Sequence, residues 1–317
     1  MNTKNKKLLR LTIPIILAVV FGWYTFAKLP IQEILPYFKN ANYFWIILGV
    51  FCGLLSHLSR AYRWKFMLEP LGYSPKLPNS IMAVFIAYLA NFGIPRSGEV
   101  LRAVAFANYE DVPFEKGFGT IVAERIADML VMLIIIASTL FLQYDYIYNL
   151  LVENFNPITI VLALSVLFIF GTIFIIFIFR SKSGIALKVK KLFLGVFEGA
   201  TSIFNMKKNW PFIIHTLFIW LMYVLMFYFT SFAIPELNGI SIAAILVGFI
   251  SASFSIAATN GGVFVYPLAV VAAFSVFNIP ETPSLAFGWI VWTSQTLLII
   301  ILGSMSFLFL PIYNRIK

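Results

Sequence analysis

The most informative part of the sequence is Asn91-Phe92-Gly93-Ile94-Pro95-Arg96-Ser97-Gly98-Glu99-Val100-Leu101-Arg102, which places three charged side chains in an otherwise apolar sequence. Charge at membrane depth is costly, so such side chains usually face a partner, a cavity or a substrate. A Gly-Ile-Pro break between two apolar segments is typical of a discontinuous or re-entrant helix. The stretch therefore predicts a polar site inside a membrane domain.

The composition of the whole chain is that of a membrane protein. Of its 317 residues, 61% are hydrophobic and 11% are charged, whereas soluble domains carry about 25% charged residues. No segment of soluble composition is left over, so we expect one membrane domain over residues 1–317. Anionic lipid at the cytoplasmic face explains the net charge of +10, and no nucleic-acid partner is expected. The single cysteine, Cys52, excludes an intramolecular disulfide framework.

The apolar runs predict an all-α, polytopic architecture. Full spans of about 20 residues are expected at about 11–28, 42–64, 119–143, 157–180, 210–234 and 284–310. Two further apolar stretches are interrupted, 79–108 by Gly93-Ile94-Pro95 and 240–279 by Thr259-Asn260-Gly261-Gly262. Each is long enough for two half-helices that meet at the break and return to the same side. The pattern favours about six transmembrane helices plus two re-entrant hairpins.

The distribution of basic residues predicts the orientation. With both hairpins re-entrant, most lysines and arginines lie on the side of the N-terminus, so both termini are expected in the cytoplasm. A first half, 1–143, and a second half, 157–317, would then be inverted, each with one hairpin. The segment 181–208 alternates lysine with apolar residues, which fits either a basic amphipathic helix in the cytoplasmic interface or a loop beneath the bundle.

The charged side chains after the first break are candidates for an anion site. If a half-helix begins near Ser97, that serine is a candidate N-cap and Glu99 lies in the first turn. The N–H groups of that helix end, with Arg96 and Arg102 close by, could bind a phosphate. The alternative is that Glu99 caps the helix and that the arginines reach the membrane interface.

The run that follows carries a second group of charges. Glu124 and Asp128 are four residues apart and share a helix face, and Arg125 can reach Asp128. The two carboxylates could pair with Arg96 or Arg102 inside the protein, or bind and release a proton during transport.

Other polar residues in the apolar runs have weaker signals. Arg60 lies deep enough in its span to join the charged group, whereas Arg63 and Lys65 are interpreted as anchors at the cytoplasmic interface. His215 is interpreted as a core residue with a satisfied hydrogen bond. In the second break, Asn260 and Gly261 offer an amide and a flexible backbone to a ligand.

Three blocks resemble the transmembrane domain of lysylphosphatidylglycerol synthases, whose stand-alone relatives are known as flippase-like domain proteins. They are Ser59-Arg60-Ala61-Tyr62-Arg63-Trp64, the stretch 91–102, and Glu124-Arg125 with Asp128. The resemblance implies a multi-pass protein of the bacterial cytoplasmic (inner) membrane that moves a lipid between leaflets. Because the chain ends at Lys317, the aminoacyl transferase activity of bifunctional members is expected to be absent. The family's usual glutamate after the second break is missing here.

The leading hypothesis is a lipid flippase or transporter without a metal or another cofactor. Its partner would be an anionic or aminoacylated phospholipid, or a polyprenyl-phosphate-linked lipid, with Arg96 and Arg102 on the phosphate. Glu99, Glu124 and Asp128 would hold those arginines or a cationic head group. The absence of a Walker motif argues against ATP hydrolysis by this chain. The sequence leaves open whether the protein is a homo-oligomer.

Two other classes of function remain open at this point. One is a membrane-embedded enzyme similar to polyprenyl-diphosphate phosphatases, in which Ser97 would be the nucleophile and Glu124 and Asp128 the base or metal ligands. The other is a non-catalytic membrane scaffold, in which the charges form internal salt bridges only.

Overall fold

The computed structural model describes residues 31–94, 97–144, 208–259 and 261–315, together with Met206 and isolated positions between 158 and 187. All regular structure in this part of the chain is helical. In chain order the helices are α1 Ile31–Asn40, α2 Tyr43–Leu68, α3 Leu77–Gly93, α4 Ser97–Tyr109, α5 Phe114–Leu142, α6 Asn209–Ser231, α7 Ile242–Ala258, α8 Val265–Ser275 and α9 Glu281–Arg315. Short 3-10 turns follow α2 at Glu69–Leu71 and α6 at Pro235–Leu237.

Within the described residues, four helices are long and apolar enough to cross a membrane. They are α2 with its 3-10 turn, α5, α6 and α9. These helices correspond to four of the predicted spans, since apolar runs of about 20 residues leave the backbone no better state in lipid than a helix. The predicted span 11–28 lies outside the described residues. So do the span 157–180 and the segment 181–208, apart from isolated positions.

Each of the two interrupted stretches is a pair of short helices that pack against each other, α3 with α4 and α7 with α8. The four helices have 17, 13, 17 and 11 residues. At 1.5 Å per residue the longest reaches about 26 Å, which is less than the roughly 30 Å of a hydrocarbon core. The predicted breaks are therefore present. That the two ends of each helix pair lie on the same side of the membrane stays a prediction. The orientation of the chain in the membrane also stays a prediction.

The first break has a local cause in the sequence. Ile94 adopts φ −127° and ψ 118°, because the residue before a proline is restricted to extended backbone. The two helices then approach closely, and a Cβ on Gly98 would lie 2.1 Å from the carbonyl oxygen of Ala87. The side-chain oxygen of Asn91 accepts a hydrogen bond from the Gly98 N–H at 2.8 Å. Asn91 of α3 thus satisfies the first turn of α4.

The expectation that Ser97 caps α4 is wrong. Its hydroxyl donates to the carbonyl oxygens of Ile94 at 2.8 Å and Ala90 at 3.2 Å. These carbonyls belong to the end of α3, where a helix leaves acceptors unpaired. Ser97 therefore closes the preceding helix, while Glu99 lies in the first turn of α4 as predicted.

The second break is a turn built on glycine. Gly261 and Gly262 have backbone φ angles of +70° and +74°, which residues with a Cβ atom rarely adopt. The Gly262 N–H donates to Thr259 Oγ1 at 3.1 Å, and the indole N–H of Trp292 donates to the carbonyl oxygen of Gly261 at 2.8 Å. The turn thus uses the positive φ that glycine permits, and the approach of a ligand to this backbone stays a prediction. Asn260 lies outside the described residues.

The chain divides into two compact units. The first comprises the residues up to Val50 and Met226–Leu297, and the second Phe51–Leu225 and the residues from Leu298 onwards. In the first unit, the rings of Phe227 and Phe287 lie 4.8 Å apart in a buried aromatic core. The second unit contains α3, α4 and α5 and a core around Trp64. All charged residues of the candidate site belong to the second unit.

Candidate functional site

Three helices of the second unit bring five charged side chains together. Arg60 and Arg63 lie three residues apart on α2, and Glu124 and Asp128 lie four apart on α5, so each pair shares one helix face. Arg102 comes from α4. Their exposed fractions lie between 0% and 6%. These five residues are called the buried cluster below.

The carboxylates of the buried cluster are completely paired. Arg60 Nη1 lies 2.6 Å from both Glu124 Oε1 and Asp128 Oδ2, and so bridges them. Arg63 reaches the same two carboxylates at 3.0 Å. Arg102 Nη2 lies 3.0 Å from Glu124 Oε2. Each of the four carboxylate oxygens thus contacts a guanidinium group, as charges this deeply buried require.

Aromatic rings contact two of the three arginines of the buried cluster. The guanidinium carbon of Arg102 lies 3.8 Å from the ring centroid of Trp64, and that of Arg63 lies 5.2 Å from Phe212. Trp64 is fully buried, and its indole N–H donates to Thr120 Oγ1 at 2.8 Å. Cation–π contacts of this kind hold a guanidinium group where water is excluded.

Helix α6 adds polar contacts that sequence reasoning missed. Thr216 Oγ1 accepts from Arg63 Nη1 at 2.7 Å, and Trp220 Nε1 lies 3.4 Å from Asp128 Oδ1. The threonine hydroxyl in turn donates to the carbonyl oxygen of Phe212 at 2.7 Å. The sequence shows only that Thr216 and Trp220 are four residues apart and therefore share one face of α6. That spacing does not indicate a contact between Thr216 and Arg63, which lies more than 150 residues earlier in the chain.

The buried cluster has more positive than negative charge. Among the residues that the structure describes, three guanidinium groups face two carboxylates, which leaves one positive charge in excess. The Nε–H groups of Arg60, Arg63 and Arg102 are buried and have no hydrogen-bond partner among the described residues. Unsatisfied donors of charged groups cost about 1–3 kcal/mol each, or more. The arrangement is therefore suited to an additional anion.

A second ion pair lies at the edge of the buried cluster. Arg125 Nη2 of α5 lies 3.0 Å from Glu99 Oε1 of α4, and the two side chains are 44% and 23% exposed. Arg125 Nη1 is also 3.9 Å from Asp128 Oδ2, in line with the predicted contact. The second carboxylate oxygen, Glu99 Oε2, is buried and has no hydrogen-bond partner among the described residues.

A cleft connects this edge pair with the buried cluster. Its polar lining consists of Arg60, Tyr88, Asn91, Glu99, Arg102 and Arg125. Its volume is about 10 Å³, which is enough for roughly one water molecule. The charged groups therefore leave room for little more than a water molecule, and a larger anion requires the groups that line the cleft to move.

The structure brings together some of the predicted site residues but not all of them. Arg60, Arg102, Glu124 and Asp128 form the buried cluster, and Glu99 and Arg125 lie beside it. Of the pairings left open by the sequence, Glu124 uses Arg102. Ser97 is bound to the end of α3, and Gly261 belongs to the other unit. Arg96 lies outside the described residues.

The interpretation of Arg63 as an interface anchor is wrong. Its side chain is fully buried and pairs with both carboxylates. Position near a span end suggested the interface, but α6 and the rings beside it cover that end of α2. The predicted hydrogen bond of His215 is confirmed, because its Nδ1 lies 2.8 Å from Ser59 Oγ, but the side chain is half-buried and does not lie in the core.

Comparison with known proteins places the chain among membrane proteins. The sequence profile described as "Lysylphosphatidylglycerol synthase TM region" matches residues 11–303. A UPF0104 membrane protein of Methanocaldococcus jannaschii is 25% identical over 314 residues, which cover 88% of each chain. Glycosyltransferase AglD of Haloferax volcanii is 32% identical over 72 residues, which cover 22% of this chain and 12% of that protein. No solved structure matches.

Proposed function

Because the chain belongs to the lysylphosphatidylglycerol synthase transmembrane-region family and is a multi-pass membrane protein, we propose that it moves a phospholipid or lipid-linked head group between the leaflets of the cytoplasmic membrane. The observation that supports this function best is the buried cluster with its excess positive charge. A lipid phosphate supplies the missing negative charge, and guanidinium groups bind phosphate through two parallel hydrogen bonds.

The main barrier to lipid movement between leaflets is the transfer of a charged head group out of water. An uncompensated charge in an apolar medium is strongly unfavourable. The buried cluster provides fixed counter-charges where the head group loses its hydration, while the acyl chains stay in the bilayer. The break between α3 and α4 is consistent with this role, since irregular backbone at membrane depth is tolerated where it lines a cavity.

Loading of the cleft requires a change of conformation, because the closed arrangement holds about one water molecule. Glu124 contacts three arginines, so Arg102 can turn to a phosphate while Arg60 and Arg63 still neutralise the carboxylate. A ligand shifts such an equilibrium by its difference in affinity for the two states. We expect lipid to favour the open state and to be released when the ion pairs close again.

The scaffold alternative is favoured by one observation of its own. Every carboxylate oxygen in the buried cluster is paired with an arginine, as expected for purely internal salt bridges. The phosphatase alternative has less support, because the Ser97 hydroxyl donates to two carbonyl oxygens and no described carboxylate accepts a hydrogen bond from it.

The test is a translocation assay in proteoliposomes that contain the full chain. Each lipid carries a fluorophore on an acyl chain, and a membrane-impermeant reagent quenches the fluorophores in the outer leaflet. The remaining fluorescence, which comes from lipid in the inner leaflet, is followed with time. The panel compares an anionic phospholipid, an aminoacylated phospholipid and a polyprenyl phosphate. We expect one class to move faster with wild-type protein than in empty liposomes, and this acceleration to be lost in Arg102→Gln.

The matched control is Glu69→Gln. It removes a carboxylate whose Oε1 lies 2.6 Å from Lys208 Nζ, in a pair whose side chains are 41% and 48% exposed. This variant should translocate lipid at the wild-type rate. A folded protein that accelerates no lipid class, or an Arg102→Gln protein as active as wild type, would contradict transport through the buried cluster and favour the scaffold.

A further inference from the structure

A network of side-chain amides joins the ends of α3 and α4 that lie away from the break. Asn79, in the first turn of α3, donates a hydrogen bond to Oε1 of Glu110, the residue after the end of α4, at 2.5 Å. Its amide also pairs with that of Asn314 near the end of α9, with N···O distances of 3.0 and 2.9 Å in the two directions. These three residues of the second unit are called the clasp below.

The two amides of the clasp are completely hydrogen-bonded. The second N–H of Asn314 donates to the carbonyl oxygen of Leu310 at 2.8 Å, so all four side-chain N–H groups and both side-chain oxygens of Asn79 and Asn314 have partners. Asn79 is buried. Separation of α3 from α9 would leave its amide without these partners, which is unfavourable for a buried polar group. The clasp therefore holds the start of α3 against the end of α9.

Close packing between α3 and α9 gives a second point of attachment. Gly303 lies about three helical turns before Asn314, and a Cβ on it would be 2.7 Å from Leu89 Cβ and 2.9 Å from the carbonyl oxygen of Phe85. Residue numbers rise along α9 as they fall along α3, so the two helices run antiparallel here. The segment 303–314 of α9 thus contacts α3 both at the clasp and close to the break.

Helices α3 and α4 are also fixed to each other at both ends. At the break, the Gly98 N–H donates to Asn91 Oδ1 at 2.8 Å, and Gly98 leaves no room for a Cβ against the carbonyl oxygen of Ala87. At the opposite end, Asn79 and Glu110 are hydrogen-bonded in the clasp. Two helices joined at both ends move together, so attachment of α3 to α9 also attaches α4.

The contacts on the other side of the cleft are of a different kind. The polar groups of one wall come from α3 and α4, and those of the other wall from α2 and α5: Tyr88, Asn91, Glu99 and Arg102 against Arg60 and Arg125. Two ion pairs connect the walls, Arg102 with Glu124 and Glu99 with Arg125. A phosphate group can replace a carboxylate in such a pair, whereas it cannot replace the mutual pairing of two amides. The side of α2 and α5 is therefore the one that a charged ligand can open.

On the basis of the proposed function, we infer that the clasp joins α3, α4 and the segment 303–314 of α9 into one rigid body, and that the cleft opens between this body and helices α2 and α5. The end of α9 is then the support of the moving wall. It takes part in loading of the cleft although Asn314 is not one of the groups that line it.

The first test measures distances between pairs of spin labels on the full chain in nanodiscs, with Cys52 replaced by alanine. Leu77→Cys with Ile312→Cys reports on α3 against α9, and Val104→Cys with Val122→Cys reports on α4 against α5. The native side chains at these four positions are exposed in the part of the chain that the structure describes. The two label pairs thus follow the two sides of the proposed rigid body separately.

Two substitutions loosen the ion pairs across the cleft, Arg102→Gln in the buried cluster and the milder Arg125→Gln at its edge. We expect both to broaden the distance distribution between α4 and α5 or to shift it to longer distances, and to leave the distribution between α3 and α9 unchanged. Asn314→Leu, which removes the amide pair of the clasp, should broaden only the distribution between α3 and α9. The control Glu69→Gln should change neither.

Three results of this test would overturn the inference. A changed distribution between α3 and α9 in Arg102→Gln or Arg125→Gln would show that α3 leaves α9 when the ion pairs are loosened. An unchanged distribution between α4 and α5 in both variants would show that the cleft does not open there. A wild-type distribution between α3 and α9 in Asn314→Leu would show that the clasp does not hold these helices together.

The second test closes the clasp covalently. Asn79→Cys with Asn314→Cys is cross-linked by a short bis-methanethiosulfonate, and the full chain is assayed for lipid translocation in proteoliposomes. We expect the cross-linked protein to move lipid at the wild-type rate, because opening on the side of α2 and α5 keeps α3 and α9 together. A cross-linked protein that is slower than wild type, whether or not a reductant restores the rate, would overturn the inference.

The label distances and the translocation assay fail independently. If the wild-type protein moves no lipid, the proposed function is wrong, and the label distances still decide which helices move together. If lipid is translocated but the distance between α3 and α9 changes with the loosened ion pairs, the proposed function stands and the rigid body is wrong.

Discussion

Glu124→Gln is the substitution that tests the energetics of the buried cluster. The carboxylate of Glu124 accepts hydrogen bonds from Arg60 Nη1 at 2.6 Å and Arg102 Nη2 at 3.0 Å, and its Oε1 lies 3.0 Å from Arg63 Nη2. Glutamine has nearly the same volume and keeps one acceptor oxygen. The variant therefore removes the negative charge with little change in packing, and leaves three arginines facing one carboxylate.

The magnitude follows from the burial of these groups. Hydrogen bonds to a charged acceptor contribute about 1.5–3 kcal/mol and neutral ones about 0.5–1.5, so weakening two of them costs about 2 kcal/mol. The additional uncompensated positive charge brings the loss to about 3–5 kcal/mol, the range for breaking a buried pair. An exposed pair is worth about 0–1 kcal/mol. We therefore expect Glu69→Gln to have a small effect.

The assay is reversible unfolding of the full chain by SDS titration in mixed micelles. Wild type, Glu124→Gln, Arg102→Gln and the double variant form a cycle. Because the double variant restores the wild-type charge excess, we expect it to be more stable than the sum of the single effects predicts, by about 0.5–3 kcal/mol. A Glu124→Gln protein destabilised no more than Glu69→Gln, or strictly additive effects in the cycle, would refute the electrostatic account.

Three further substitutions test other contacts by the same titration. Gly98→Ala places a Cβ 2.1 Å from a carbonyl oxygen of α3, so we expect a loss of about 1–3 kcal/mol, whereas Gly93→Ala, with open space around it, should lose nothing. Trp292→Phe removes the donor to Gly261 and should cost about 1 kcal/mol; a neutral result would show that this bond does not stabilise the second break. Arg63→Lys cannot reproduce the fork that contacts two carboxylates, so we expect about 1–3 kcal/mol, and wild-type stability would contradict that contact.

The helices and their breaks could be predicted because their causes are local. Gly93-Ile94-Pro95 ends α3, since proline restricts the residue before it and cannot continue the hydrogen-bond ladder. Gly261 and Gly262 provide the positive φ of the second break. The acceptors of Ser97, three and seven residues earlier in the chain, could not be predicted, because they depend on how the backbone turns at the break.

The candidate site was only partly visible in the sequence. Arg102, Glu124 and Asp128 stood out because each interrupts an apolar run, and the four-residue spacing on α5 placed two of them on one face. The sequence predicts an interface position for Arg63, because position along the span is the only guide that it provides. Its contacts with α6, including Thr216, depend on helix packing between distant segments, which no local pattern specifies.

In the proposed function, the lipid phosphate binds to the guanidinium groups of the cleft. The most direct measurement is solid-state NMR of the distance between ³¹P of a bound anionic phospholipid and ¹⁵Nε of labelled arginine, in bilayers that contain the full chain. Contact between phosphorus and a small number of arginine Nε atoms, lost in Arg102→Lys and kept in Glu69→Gln, is the predicted result. A ³¹P–¹⁵Nε coupling that is absent, or that stays the same in Arg102→Lys, would contradict the claim that the buried cluster holds the lipid phosphate.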